Sequence, residues 1–300
     1  MRTLRIGTRR SRLAIVQAEH TRDLLRLQGV DTVLVPMTTT GDEGGTADAS
    51  AQGLKGLWID TILEALRDGR IDLAVHSAKD MPAEDDEGLE IGAVPEREAP
   101  HDILLLRAEG ELRPGMIVGT SSLRRRAQIM AAYPGIGVAD LRGNVETRLR
   151  KLADGEVDAA ILAAAGLSRL GIDPPHATPL GIDVMIPAPG QGCLAIQCRT
   201  DDREVLAVLM LLDHRPSRMA LEAERALMRR IGGGCALPLG AIGALKGDVL
   251  RLAAVVASPD GVRVVKAAAE SGDPRRAADL VADRLLALGA DRILAEVRAG

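Results

Sequence analysis

Met116-Ile117-Val118-Gly119-Thr120-Ser121-Ser122-Leu123-Arg124-Arg125 opens the stretch that decides the fold class. A short apolar run ends in hydroxyls that can cap a helix, and a basic helix follows. The pattern then repeats. Ile136–Asp140 reads as a strand, and Arg142-Gly143-Asn144 leads into a helix over 145–153. Val157–Leu162 reads as a further strand and 164–170 as a helix. Strands alternating with helices of about ten residues predict a parallel α/β sheet.

The same alternation fills the N-terminal part. Leu4–Thr8 reads as a strand. Ser11 can cap a helix whose Leu13, Val16, His20, Leu24 and Leu27 fall on one face before Gly29 stops it. Thr32–Met37 reads as a strand, and 38–53, rich in Thr, Gly and Asp, as a loop. Leu57–Arg67 is a predicted helix ended by Gly69. Ile71–Val75 then delivers His76-Ser77-Ala78-Lys79-Asp80 at the C-terminal end of a strand. Two such units in tandem predict two lobes with a cleft between them.

Pro187-Ala188-Pro189-Gly190-Gln191-Gly192 reads as a hinge. Cys193–Cys198 is a predicted strand, with helices at 202–212 and 217–230. From 237 the pattern changes to short strands at 237–245, 249–257 and 262–267, then a helix at 274–288. That predicts a small α+β domain with a three-stranded antiparallel sheet. The expected division is 1–95 with 192–212, 99–187, and 215–300.

The 300 residues suffice to bury roughly three quarters of the unfolded surface, so no disulfide or metal staple is required. No apolar run approaches the roughly 20 residues of a membrane span. The N-terminus runs straight into strand-like sequence with no signal-peptide core, which makes a cytoplasmic location the expectation. The three cysteines show no C-x-x-C pair and no Cys/His zinc spacing, so no structural metal is expected. Cys193 and Cys198 read as core packing. A net charge of −4, with Trp58 and Tyr133 the only aromatic residues, removes the electrostatic and stacking arguments for nucleic acid. P-loop, dinucleotide, nucleophile-elbow and zinc-protease motifs are absent.

Three basic clusters stand where a strand gives way to a helix. They are Arg9, Arg10 and Arg12; Arg124, Arg125 and Arg126; and Arg142, Arg148, Arg150 and Lys151. Each alone can be a solvated helix face. Together they describe a cleft for a ligand with several carboxylates or phosphates, since open α/β sheets bind ligands at strand C-termini and arginine grips carboxylates with two bonds. Thr120, Ser121 and Ser122 can cap the helix or join such a pocket. Lys79 and Asp80 can form a structural ion pair, or Asp80 can be a carboxylate held among cations for stabilising positive charge. His76 reads as structural. Cys235, on the Gly232-Gly233-Gly234 loop, is either a buried inert thiol or an exposed nucleophile.

Several segments go further. Ile6-Gly7-Thr8-Arg9-Arg10-Ser11, Leu54-Lys55-Gly56-Leu57 and Ala74-Val75-His76-Ser77-Ala78-Lys79-Asp80-Met81-Pro82 come first. Val118 to Arg125, Leu141-Arg142-Gly143-Asn144-Val145, Ala164-Ala165-Gly166-Leu167, Pro189-Gly190-Gln191-Gly192 and Gly233-Gly234-Cys235 follow. In order and spacing the sequence resembles the porphobilinogen deaminase, or hydroxymethylbilane synthase, family from about residue 4 to the C-terminus.

The resemblance implies two lobes like type II periplasmic binding proteins and a third domain carrying a cofactor cysteine. It implies a dipyrromethane joined by a thioether to Cys235. Four porphobilinogens condense in turn with loss of ammonia, and water releases linear hydroxymethylbilane. Asp80 matches the catalytic aspartate. Lys79, Thr120, Ser121, Ser122, Arg124, Arg125, Ser77 and Gln191 match cofactor-binding positions. Arg9, Ser11, Gln17, Arg142, Arg148, Arg169 and Lys55 match substrate-binding positions. The family expectation is a monomer, with no nucleic-acid or membrane partner. Trp58, Ala99, Cys193 and Gln197 depart from the family's usual residues. The rival reading is a two-lobed polycarboxylate binder without catalysis.

Overall fold

The computed structural model describes residues 2–38, 60–232 and 237–299. Lys55, Trp58, Cys235 and the 38–53 loop beyond its first residue therefore lie outside the described residues. Strands β1 (Leu4–Arg9), β2 (Thr32–Met37), β3 (Leu73–Ser77) and β4 (Leu89–Ala93) belong to the first lobe. Strands β5 (Asp102–Leu106), β6 (Ile117–Gly119), β7 (Gly137–Ala139), β8 (Ala159–Ala163) and β9 (Ala177–Pro179) form the second. Strand β10 (Leu194–Arg199) returns to the first lobe, giving the order β2-β1-β3-β10-β4 against β7-β6-β8-β5-β9. Strands β11 (Leu239–Lys246), β12 (Val249–Ala257) and β13 (Val264–Ser271) make the antiparallel sheet of the third unit.

The lobes are α/β as expected, but their sheets are mixed and not wholly parallel. β10 runs antiparallel to β3 and β4, and β5 antiparallel to β8 and β9. Both reversed strands carry the chain straight in from the inter-lobe crossing. No crossover helix precedes them, so nothing forces them parallel. β4, β5 and β9 escaped the sequence reading; β9 is a three-residue, fully exposed Ala-Thr-Pro edge. So did the final helix, Ala290–Ala299.

The helix Arg12–Leu27 buries Gln17, Ala18, Thr21 and Leu25. That corrects the expected face: His20 is exposed, and so is Leu27. Small side chains at 18 and 21 let the helix lie close on the sheet, while Leu13, Val16 and Leu24 stay half-buried on its flank. Aliphatic clusters line both sheet faces of each lobe. Leu4, Ile6, Val75 and Ile196 pack on one side of the first sheet, and Leu66, Ile71 and Leu89 on the other. Cys193 and Cys198 are fully buried in different clusters, as core packing predicts. Burial pushes both thiols up to about 12.

The third unit touches both lobes in different ways. Against the second lobe it presents Val255 and Ala257, packed with Ala127 and Ile186. Against the first it presents Arg225 and Arg229, from the helix Arg215–Ile231, which donate to the carbonyls of Pro82 and Ala83 and pair with Asp85.

Candidate active site

Strand β3 ends at half-buried Ser77, and one tight turn, Ala78–Asp80, follows. The turn leaves Asp80 exposed and Lys79 half-buried. The Pro189–Gly192 loop packs against it. A Cβ on Gly190 would lie 3.0 Å from the Ala78 carbonyl carbon and the Lys79 nitrogen, and its φ of 74° also favours glycine. Gln191 completes the contact. Its Oε1 accepts from Lys79 Nζ at 3.5 Å, while its Nε2 donates to the Pro100 carbonyl at 2.7 Å and to Asp102 Oδ1 at 2.9 Å.

On the second lobe, β6 leads into the hydroxyl run. Thr120 is buried, and its Oγ1 accepts from the Ser122 amide at 3.2 Å. Ser122 Oγ accepts from the Arg125 amide at 3.4 Å and so caps the helix Leu123–Ala132. Ser121 is exposed. Arg124 and Arg125 are buried around fully buried Asp102, at the first residue of β5. Arg124 Nη1 lies 2.8 Å from Oδ2, and Arg125 Nη2 lies 2.7 Å from Oδ1. Arg124 also donates to the Ile186 carbonyl and Arg125 to that of Ile161.

The remaining predicted residues divide. Arg148 donates through Nε to the Gly143 carbonyl at 2.8 Å and is half-buried. Ser11 caps the helix Arg12–Leu27, Arg9 ends β1, and Gln17 is buried on that helix. Arg142 is exposed beside Asp140 at 3.3 Å. Arg169 donates to Glu98 at 2.7 Å and to the Gly192 carbonyl at 2.8 Å, so its guanidinium ties the second lobe to the hinge. Lys55 and Cys235 lie outside the described residues.

One electrostatic field joins the two lobes here. Lys79 is drawn by Asp80 and Asp102 and repelled by Arg124 and Arg125; Arg148 is drawn by Asp80 and repelled by Arg125. Burial, above all, brings the Lys79 ammonium down to about 8. Burial also lowers Arg148, with Arg125 adding to the effect and Asp80 opposing it. Burial works to raise Asp102, but the combined pull of Arg124 and Arg125 wins and holds it well below the usual carboxylate range. His76 is pushed down to about 4 by burial, against Asp80 and Gln197, and is a neutral imidazole near neutral pH. The cations Lys79, Arg124, Arg125 and Arg148 thus meet the carboxylates of Asp80 and Asp102. The surplus positive charge suits a ligand with several carboxylates.

Sequence reasoning missed Asp102. It lies just past the Arg97-Glu98-Ala99-Pro100 segment, and an acid directly before the apolar run Ile103-Leu104-Leu105-Leu106 was the available signal. It also missed Glu224, fully buried, which takes Arg97 Nη1 at 2.6 Å and the amides of Gly190 and Gly243. Among the described residues no cluster of three or more His, Cys, Asp or Glu side chains could hold a metal ion. No described helix is long and apolar enough to cross a membrane.

Residues 4–207 match the family model described as porphobilinogen deaminase, dipyromethane cofactor binding domain. Residues 219–287 match its C-terminal domain. The chain belongs to the porphobilinogen deaminase family. Curated relatives named porphobilinogen deaminase include that of Brevibacillus brevis, 44% identical over 98% of this chain and 97% of the relative. That of Desulforudis audaxviator is 47% identical, covering 98% of each. Among solved structures, the methionine binding protein MetQ is 15% identical with a TM-score of 0.42, covering 70% of this chain and 89% of that one. A substrate binding domain of a putative amino acid ABC transporter from Streptococcus pneumoniae is 12% identical with a TM-score of 0.44, covering 70% and 92%. Family membership makes the chain an enzyme with a dipyrromethane cofactor, and it favours catalysis over the non-catalytic binder.

Proposed function

We propose that this chain works as a hydroxymethylbilane synthase through the inter-lobe cluster around Asp80. It condenses four porphobilinogens in turn, releasing ammonia each time, and hydrolyses the product to the linear tetrapyrrole. The observation that carries this reading is one exposed carboxylate, Asp80, on the same turn as Lys79 and within the field of Arg148 from the opposite lobe.

The residues present fit the cofactor. A dipyrromethane bears acetates and propionates, and the cationic surplus beside capped, hydroxyl-rich backbone answers them. Arg124, Arg125, Lys79, Thr120, Ser121, Ser122, Ser77 and Gln191 would hold it, and Cys235 would attach it by a thioether. When bound, it supplies the pyrrole on which the chain is extended. Arg9, Ser11, Arg142 and Arg148, with Gln17 and Lys55, receive the carboxylates of the incoming porphobilinogen. Arg169 joins these substrate-binding residues and also fixes Glu98 and the hinge.

Loss of ammonia leaves positive charge on the incoming ring. Asp80 stabilises that charge from a fixed position, the kind of preorganised electrostatics that is often the largest catalytic contribution. His76, neutral and buried behind it, takes no proton from substrate in this scheme. The enzyme is proposed to act as a cytoplasmic monomer with units at 1–95 plus 192–212, 99–187 and 215–300. The two lobes share the site, and Cys235 belongs to the third unit.

Intact mass spectrometry of the parent and of Cys235→Ser tests this. The parent should carry the mass of a dipyrromethane, or gain it on incubation with porphobilinogen, and the variant should not. A bare parent that stays bare with porphobilinogen would sink the proposal, and a loaded Cys235→Ser would move the attachment elsewhere.

A further inference from the structure

Gln128 lies one turn after Arg124 on the helix Leu123–Ala132 and is buried. Its amide grips the backbone of one residue, Ile186, at both its N–H and its carbonyl. Oε1 accepts from the Ile186 N–H at 2.8 Å, and Nε2 donates to the Ile186 carbonyl at 3.0 Å. Nε2 also reaches the Arg124 carbonyl at 3.3 Å. That same Ile186 carbonyl accepts from Arg124 Nη1 at 2.8 Å. The Arg124 guanidinium is therefore fixed at two points, Asp102 and the Ile186 oxygen, and Gln128 sets the second.

The far side of Ile186 belongs to the third unit. A Cβ on Gly240 of β11 would lie 2.6 Å from the Ile186 oxygen, so only glycine lets β11 approach this closely. The Ala241 amide donates to the Pro187 carbonyl at 2.9 Å. The turn at Gly261 packs on the same helix, where a Cβ would lie 2.7 Å from the Ala131 nitrogen and 2.9 Å from the Ala127 oxygen. The peptide that orients Arg124 is thus also the surface on which β11 is seated.

We infer that Gln128 is a positioning residue: through the Ile186 peptide it couples the seating of the third unit to the aim of Arg124 into the cleft. This rests on the function proposed above, in which Arg124 holds a cofactor delivered on the third unit. A buried polar network of this kind fixes one arrangement only when every member is satisfied.

The test follows cofactor loading by intact mass against time. Protein is expressed in cells unable to make porphobilinogen and then given porphobilinogen. The variants are Gln128→Glu and Gln128→Met, each also made in an Arg124→Ala background. Gln128→Glu keeps the shape but places a carboxylate where an amide donated. Gln128→Met keeps the length and removes all three bonds. Circular dichroism and Tm report the fold.

Loading in either single variant should slow about tenfold, the loss expected for one hydrogen bond to a charged group. In the Arg124→Ala background the same substitutions should add almost no further slowing, because their effect passes through Arg124. Equal slowing in both backgrounds would overturn the inference, as would loading at the parent rate. So would failure of both variants to fold, which would make Gln128 a stability residue alone. A parent that does not load overturns the proposed function instead, which separates the two failures.

Discussion

The two lobes share a strand order and differ in what they place at the cleft. Each has a five-stranded sheet with one reversed strand next to the edge. On the second lobe the cleft groups are buried cations held by a buried acid, with Arg124 and Arg125 around Asp102. On the first lobe they are half-buried Lys79 and exposed Asp80 on a three-residue turn. One wall is thus built from buried, mutually paired groups, while the other carries its carboxylate at an exposed position. A wall that grips carboxylates gains from fixed donors, because less freedom is lost on binding. A group that must meet a charge developing on substrate has to be reachable.

The strongest way to break this contrast is Asp102→Asn. Removing one charge leaves two buried guanidiniums without their counter-ion, a loss of about 3–5 kcal/mol. Denaturant unfolding should show that loss, and cofactor loading should fall with it. Stability within error of the parent would mean the second wall is not held as described.

Asp80→Asn should do the opposite. Exposed Asp80 contributes little to the fold, so Tm should hold while kcat falls by about 10²–10³. Near-parental turnover would remove Asp80 from the mechanism.

Lys79 sharpens the comparison through pH. With its ammonium near 8, it carries charge below that pH and loses it above, so its grip on carboxylates weakens as pH rises. The expected result is a decline in kcat/KM above about pH 8, no steeper than about tenfold per pH unit. Lys79→Arg should move that limb beyond the accessible range, since arginine stays protonated. An unchanged limb in that variant would assign it to another group.

The smallest effect concerns the direct tie between the walls. Arg12 pairs with Glu146 across the lobes at 3.3 Å, with Arg12 exposed and Glu146 half-buried. Glu146→Gln should cost about 0.2–1 kcal/mol at low salt and nothing measurable at high salt. A loss of several kcal/mol would mean that the pair governs lobe closure.

What the sequence made legible was local. Ser11, Ser122 and Asn144 cap the helices that follow them, and such signals need only three or four residues. The strands β1, β2, β6 and β8 were readable as short apolar runs between breakers. The face of Arg12–Leu27 was not, because its burial depends on how closely the sheet approaches, and Ala18 and Thr21 serve that better than leucines do. Asp102 meets Arg125 across 23 positions and Gln191 across 89, and Glu224 meets Arg97 across 127. No periodicity records such partners. The motifs located the cations and Asp80, while the acids that hold those cations in place became visible only in three dimensions.

The placement of β10 bears on how the chain is made. β4 ends at Ala93 and, among the described strands, bonds only to β10, which begins at Leu194. At ordinary translation speed that interval lasts roughly 5–20 s. Throughout it, the nascent first lobe holds bare strand edges at β3 and β4, and by its end the second lobe has all five of its own strands. The lobe synthesised first is therefore the lobe completed last, and its exposed edges are where a ribosome-bound chain is most open to pairing with a neighbour.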